Sequence, residues 1–149
     1  MRAVVTRVRS ARVTVTGTGE LLGQCGRGFL VLLGVHTEDG SAEAEKIADR
    51  ICGLRVFEDD NGKMNVGPAD AGAEILIVSQ FTLWADCRSR RPGFTAAARP
   101  DTAIPLYERV VARCREAGFT VATGEFGADM QVTSQNDGPV TIILDTREL

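Results

Sequence analysis

A chain of 149 residues suits one domain and is long enough to bury a core without disulfide or metal staples. Its 44% hydrophobic and 25% charged residues argue against disorder, and a net charge of −3 argues against a surface that coats nucleic acid from end to end. No signal peptide precedes the first strand, the longest apolar run (Phe29 to Val35) is far too short for a bilayer, and four scattered cysteines without a C-x-x-C pair indicate free thiols in a reducing cytoplasm.

Taken in order, Val4 to Arg9 and Arg12 to Thr16 alternate apolar and polar residues, as half-buried strands joined at Ser10-Ala11 should. Leu21 to Gln24 reads as a short strand closed by Gly26-Arg27-Gly28. Phe29 to Val35 is apolar on both faces and predicts a central buried strand. Gly40-Ser41 then opens a helix, with Ser41 as N-cap and Glu43 and Glu45 near its positive end. Ala44, Ile47, Ala48, Ile51 and Leu54 give that helix one apolar stripe. A strand from Arg55 to Phe57 leads into the turn Glu58 to Gly62, whose carboxylates lack EF-hand spacing and its terminal Glu.

Glu74 to Leu83 is the next strong strand, and Ala85 to Thr102 is a loop of the length that is usually functional. A second helix is predicted from Ala103 to Ala117, with Pro105 in its first turn, Leu106, Val110 and Cys114 on one face, and Gly118 as the stop. Strands at Thr120 to Thr123, Met130 to Ser134 and Val140 to Asp145 complete the chain. Many strands, often consecutive, with two helices predict an α+β (mixed α/β) layered domain spanning 1–149 rather than a doubly wound sheet.

The chemistry is defined first by a shortage. His36 is the one histidine, it falls in an exposed strand-end turn, and no serine lies in a G-x-S-x-G elbow. One histidine and dispersed cysteines make a poor zinc site, so neither a metal nor a cofactor is expected. A hydrolase built this way must use backbone N–H groups, positioning and groups carried by its substrate. Ser79-Gln80-Phe81-Thr82 places hydroxyl and amide groups where a strand leaves the core. Thr82 has no neighbouring base to make it a nucleophile; the plainer reading has both hydroxyls bonding to backbone. Asn136-Asp137-Gly138-Pro139 is turn chemistry, read on its own as a hairpin between the last two strands. Arg88, Arg90 and Arg91 either form a solvated surface or contact phosphates, which position a nucleic acid without reading its sequence.

Ser79 to Thr82 and Asn136 to Thr141 closely resemble the two signature motifs of the D-aminoacyl-tRNA deacylases. Arg55 to Asp59, Gly62 to Asn65, Arg91 to Phe94 and Gly124 to Val132 also resemble family segments, in family order, so the similarity runs from Met1 to about Asp145. The resemblance implies a β-sheet-rich sandwich with two main helices on one side, assembled as a homodimer with active sites at the subunit interface. It implies hydrolysis of the ester of D-aminoacyl-tRNA, and of glycine mischarged on tRNA-Ala, with tRNA as partner and no membrane association. Ser79, Gln80, Phe81 and Thr82 then shape the catalytic pocket, with N–H groups around Phe81 steadying the oxyanion. The free hydroxyl of the terminal ribose holds or activates the attacking water, and Phe126 and Met130 line a pocket for the terminal adenine.

Gly138-Pro139 is implied to be a cis peptide inserted into the partner's active site. There its carbonyls face the substrate's α-carbon and exclude an L side chain, with Arg7 in support. Arg88, Arg90 and Arg91 would meet tRNA phosphates, although Cys87-Arg88-Ser89-Arg90-Arg91 stands where the family usually has a lysine–glycine step. Two rivals remain: a relative that edits a mischarged L-aminoacyl-tRNA with this peptide trans, and a dimeric nucleic-acid-binding module without catalysis.

Overall fold

The run Phe29 to Leu33, apolar on both faces, lies where such a run belongs, in the middle of a sheet. The computed structural model describes all 149 residues. In chain order they form β1 (Arg2–Val15), β2 (Leu21–Cys25), β3 (Gly28–Gly34), α1 (Ser41–Gly53), β4 (Phe57–Glu58), β5 (Met64–Val66), β6 (Glu74–Ser79), a 3-10 turn (Phe81–Trp84), α2 (Pro100–Glu116), β7 (Val121–Thr123) and β8 (Met130–Asp145). The main sheet runs β2-β1-β3-β6-β7, with β8 on the other edge of β1, and β4-β5 form a separate hairpin. β3 pairs antiparallel with β1 and parallel with β6, so the sheet is mixed.

Alternation along these strands separates two cores. Phe29, Val31 and Leu33 of β3, with Ile75 and Ile77 of β6, pack with the buried stripes of α1 and α2. Leu30, Leu76 and Val78 point the other way and join Val8, Ala11, Val13 and Cys25 in a smaller cluster. The sheet curls around that second cluster until β2 meets β7. A Cβ at Gly23 would fall onto the carbonyl oxygen of Thr123, so only glycine permits this closure. The result is the expected α+β architecture with two helices and a mixed sheet, curled toward a barrel.

The helix ends shift slightly from expectation. Gly40, not Ser41, is the N-cap of α1, and its N–H donates to Glu43 Oε2 at 2.8 Å. α2 starts at Pro100, three residues early, because proline at the first helical position forfeits only an N–H that has no partner there. Pro105 therefore lies beyond the first turn, and the Asp101 carbonyl lacks its helical donor. The buried face of α2 is Ala103, Tyr107, Val110, Val111 and Cys114, with Leu106 only half-buried. Arg113 reaches Glu45 and Asp49 of α1, at 3.2 and 3.0 Å, and fixes the two helices against each other.

Two larger differences concern the long strands. Ser10-Ala11 does not interrupt β1: Ala11 is buried and pairs with both Cys25 and Ser134. Nor is Asn136 to Pro139 a hairpin. Both halves of β8 run antiparallel to the same strand, with Asn136 opposite Val8 and Thr141 opposite Thr6. Five steps along β8 thus match two along β1, and the surplus bulges out of the sheet around Gly138-Pro139. Turn residues here eject a segment instead of reversing the chain.

Candidate active site

β6 delivers Ser79 to the rim of the sheet, opposite Leu33 of β3, and the chain then winds into the 3-10 turn. Beside it opens a cavity of about 260 Å³. Its wall includes Ser79, Gln80, Phe81, Leu33, Val35, Val78, Tyr107, Phe126, Met130 and Val132, so two sequence segments some fifty residues apart, Ser79 to Phe81 and Phe126 to Met130, share one space. No histidine, cysteine or carboxylate is among the lining residues. Gln80 N–H is committed to the Leu33 carbonyl at 2.8 Å. Phe81 and Thr82 open the 3-10 turn, so their N–H groups have no acceptor within it. Thr82 is not part of the lining, and its Oγ1 accepts a hydrogen bond from Gln80 Nε2 at 2.5 Å.

The wall has firm backing. Trp84 is buried at the end of the turn, with the Arg2 guanidinium 4.0 Å and that of Arg147 4.7 Å from its ring centre. His36 meets the same ring edge-on at 4.5 Å and is half-buried, not exposed as its turn position suggested. Asp145 accepts from Arg147 and Arg2, each at 2.8 Å, and Arg2 also donates to the Leu83 carbonyl at 3.1 Å. Hydrogen bonds from Arg147, then Arg2, hold the Asp145 carboxyl well below the usual carboxylate range despite its burial. Tyr107 donates its hydroxyl to the Ile77 carbonyl at 2.7 Å, and burial pushes its pKa far up. It serves the cavity as a neutral wall.

Gly138-Pro139 is a cis peptide, and Gly138 adopts φ +123°, which favours glycine. A Cβ there would meet Val140 Cγ2 at 2.8 Å and Arg7 Nη2 at 3.1 Å. Arg7 is buried beneath the bulge. It donates to the Asp137 carbonyl at 3.2 Å and the Val56 carbonyl at 2.6 Å, and pairs with the Asp137 carboxylate at 3.4 Å. Neither Gly138 nor Pro139 lines the cavity of its own chain. The Arg7 row lies four residues and two inter-strand spacings from Ser79, roughly 16 Å across the sheet.

Residues 4–145 match the family model described as D-Tyr-tRNA(Tyr) deacylase. The D-aminoacyl-tRNA deacylase of Symbiobacterium thermophilum is 54% identical over 149 residues, covering 99% of this chain and 97% of that one. The enzyme of the same name from Thermus aquaticus is also 54% identical, with the same coverage. The chain belongs to the D-aminoacyl-tRNA deacylase family. Among solved structures, one described as a c-Myc DNA unwinding element binding protein superposes with a TM-score of 0.90 at 43% identity, covering 97% of this chain and 98% of that one. A probable eukaryotic D-amino acid tRNA deacylase shares the fold at 16% identity, with a TM-score of 0.83 and coverage of 96% and 97%.

In this deacylase Arg88, Arg90 and Arg91 sit on a closed loop. Asp86 and Gly93 pinch its base through paired backbone bonds of 2.7 and 2.9 Å. Arg88 folds back on Asp86, whose carboxyl it holds down at about 2, while Arg90 and Arg91 are exposed and pair with no carboxylate. Phe94, just past the pinch, touches Phe81 edge-to-face at 5.2 Å, which places the loop beside the cavity. Tyr107 and Val132 went unnoticed in the sequence. For Tyr107 a signal existed, since the chain's one tyrosine falls on a buried helical stripe and its hydroxyl needs an acceptor there. For Val132 the signal was strand alternation, which puts it on the same face as Met130 two residues earlier.

Proposed function

We propose that this deacylase hydrolyses the ester linking a D-amino acid to the terminal ribose of tRNA, in the cytoplasm, and clears glycine from mischarged tRNA-Ala. The observation that carries the reading is the shared cavity of Ser79, Gln80 and Phe81 with Phe126 and Met130, which has no side-chain base in its lining. An adenine held against Phe126 and Met130 would leave the ester at the Ser79–Phe81 end. The N–H groups of Phe81 and Thr82 are then the donors for an oxyanion, fixed before the reaction begins. Water is activated by the neighbouring ribose hydroxyl, since the cavity lining offers no histidine or carboxylate for the task.

Chirality would be read by a second subunit. Gly138-Pro139 stands proud of β8, held from beneath by Arg7, and does not line its own cavity. Inserted into a partner's cavity, its carbonyls would confront the α-carbon. A D side chain points away, an L side chain collides, and glycine has nothing to exclude. The L-editing rival would need the Gly138-Pro139 peptide trans, opening room at the α-carbon. The nucleic-acid-binding rival draws support from one similar structure's description as a DNA unwinding element binding protein. Matched D- and L-aminoacyl-tRNA decide among the three. Release of the D-amino acid alone supports the proposal, release of the L-amino acid supports L-editing, and tight binding of uncharged tRNA or DNA with both esters spared supports the binding module.

A further inference from the structure

Two aromatic rings stand together in the open at the cavity mouth. Phe81 is 54% and Phe94 38% exposed, with their planes 74° apart. Phe81 belongs to the cavity wall; Phe94 lies one ring further out and does not. An exposed aromatic pair at the edge of an apolar cavity marks a place for contact with something else. Phe94 is not on a slack tip, because the Asp86–Gly93 bonds close the loop just before it and its own carbonyl accepts from Ala97 N–H at 3.1 Å. Arg90 and Arg91 sit on the same loop with their charges uncompensated. An aromatic face for a base and unpaired guanidinium groups for phosphate are the two components of single-strand recognition.

We infer that Phe94, with the outer surface of Phe81, is a stacking platform for the nucleobase next to the terminal adenosine of an RNA 3′ end. This rests on the adenine reading of the cavity: a strand whose last base lies inside can leave past Phe81, and Phe94 is the ring that touches Phe81 from outside the lining. The cations beside the rings favour a polyanion over a second copy of the chain as the covering partner. Phe94 is a positioning residue, acting on the strand and not on the ester.

The test uses a short single-stranded RNA ending in adenosine, with fluorescent 2-aminopurine as its penultimate base. Wild-type protein should quench the probe on binding, and Phe94→Ala should abolish the quenching. Phe94→Tyr, which keeps a ring, should restore it, whereas Phe94→Leu should not. In kinetics, Phe94→Ala should lower kcat/KM for D-aminoacyl-tRNA by roughly tenfold. Hydrolysis of D-aminoacyl-adenosine, which ends inside the cavity, should be unchanged. Equal losses on both substrates would mean that Phe94 only shapes the cavity through Phe81, and overturn the platform; so would quenching that survives Phe94→Ala. A shift in sedimentation of Phe94→Ala toward smaller species would show the ring covered by a second copy instead. If the wild type cleaves neither ester, the deacylase proposal falls, and quenching alone, which needs only binding, decides the platform.

Discussion

The wall at Ser79 to Trp84 and the bulge at Asn136 to Val140 are built on opposite plans. The wall ends a central strand and rests on Trp84, which Arg2, Arg147 and His36 enclose. The bulge leaves a strand with one free edge and is held from beneath by one buried side chain, Arg7. Backing of the first kind suits groups that must not move while charge develops beside them. Projection of the second kind suits a group that must reach into another molecule. Under the proposed function, the contrast would let one short chain supply both halves of a site completed by a second subunit.

The sharpest way to break the contrast is to separate its halves. Ser79→Trp blocks the cavity; replacement of Gly138 and Pro139 ruins the bulge. Each homodimer should be inactive. Under subunit exchange, half of the dimers become mixed, and one of their two sites combines an intact wall with an intact bulge, so about a quarter of wild-type activity should return. With folding and exchange shown independently, no recovery would place both elements in one subunit and defeat the crossed arrangement.

The wall's own chemistry is tested next. A D-aminoacyl-tRNA lacking the free hydroxyl on its terminal ribose should bind normally yet react at least about a hundredfold more slowly, the usual scale of a lost acid–base group. Thr82→Ala should retain substantial activity, because Thr82 Oγ1 is engaged by Gln80 and stands outside the cavity lining. A folded but dead Thr82→Ala, measured by single-turnover deacylation, would return a nucleophilic role to that hydroxyl.

What the sequence disclosed differs between the two regions for a physical reason. Burial patterns are local, so Phe29 to Val35 announced a central strand and Ala44 to Ile51 a helix stripe, and both are found. Ser79 to Phe81 could be singled out because polar residues end an apolar run. Turn residues are also local, but what a turn does is not. Asn136 to Pro139 carries hairpin chemistry and yet the chain continues forward, because β1 offers a partner on both sides of the bulge. Ser10-Ala11 misleads in the same way, since pairing with β2 and β8 carries β1 straight through. That the helix face carrying Tyr107 and the strand face carrying Val132 close on the same cavity as Ser79 depends on tertiary packing, which no local pattern records.

The arginine loop, which belongs to neither wall nor bulge, carries a smaller expected effect. Replacing Arg88, Arg90 and Arg91 with alanine should weaken tRNA binding severalfold and reduce the slope of log K against log salt by about 1.5 to 2.5, since each lost phosphate contact removes close to one released counterion. Arg88 should contribute least, because Asp86 already neutralises it. Selectivity for D over L should persist in filter-binding and deacylation assays run in parallel. An unchanged affinity and salt slope would make the loop a solvated surface.

The smallest effect probes the backing of the wall alone. Asp145 closes β8 and holds both cations that cover Trp84, one of which also bonds the Leu83 carbonyl. Its pKa is lower folded than unfolded, so its ionised form stabilises the native state at every pH above the unfolded value near 4. That contribution fades as pH falls through the folded value, when the carboxyl takes up a proton in both states. Asp145→Asn should therefore cost about 1.5–3 kcal/mol at neutral pH, the range for hydrogen bonds to a charged group. The gap between mutant and wild type in urea unfolding should narrow steadily below pH 4. The bulge should be indifferent, so the variant should still rescue a Gly138-Pro139 partner's missing element while its own wall loses rate. A constant gap across pH would mean that Asp145 acts through packing, and that the charge network behind the wall contributes nothing to its rigidity.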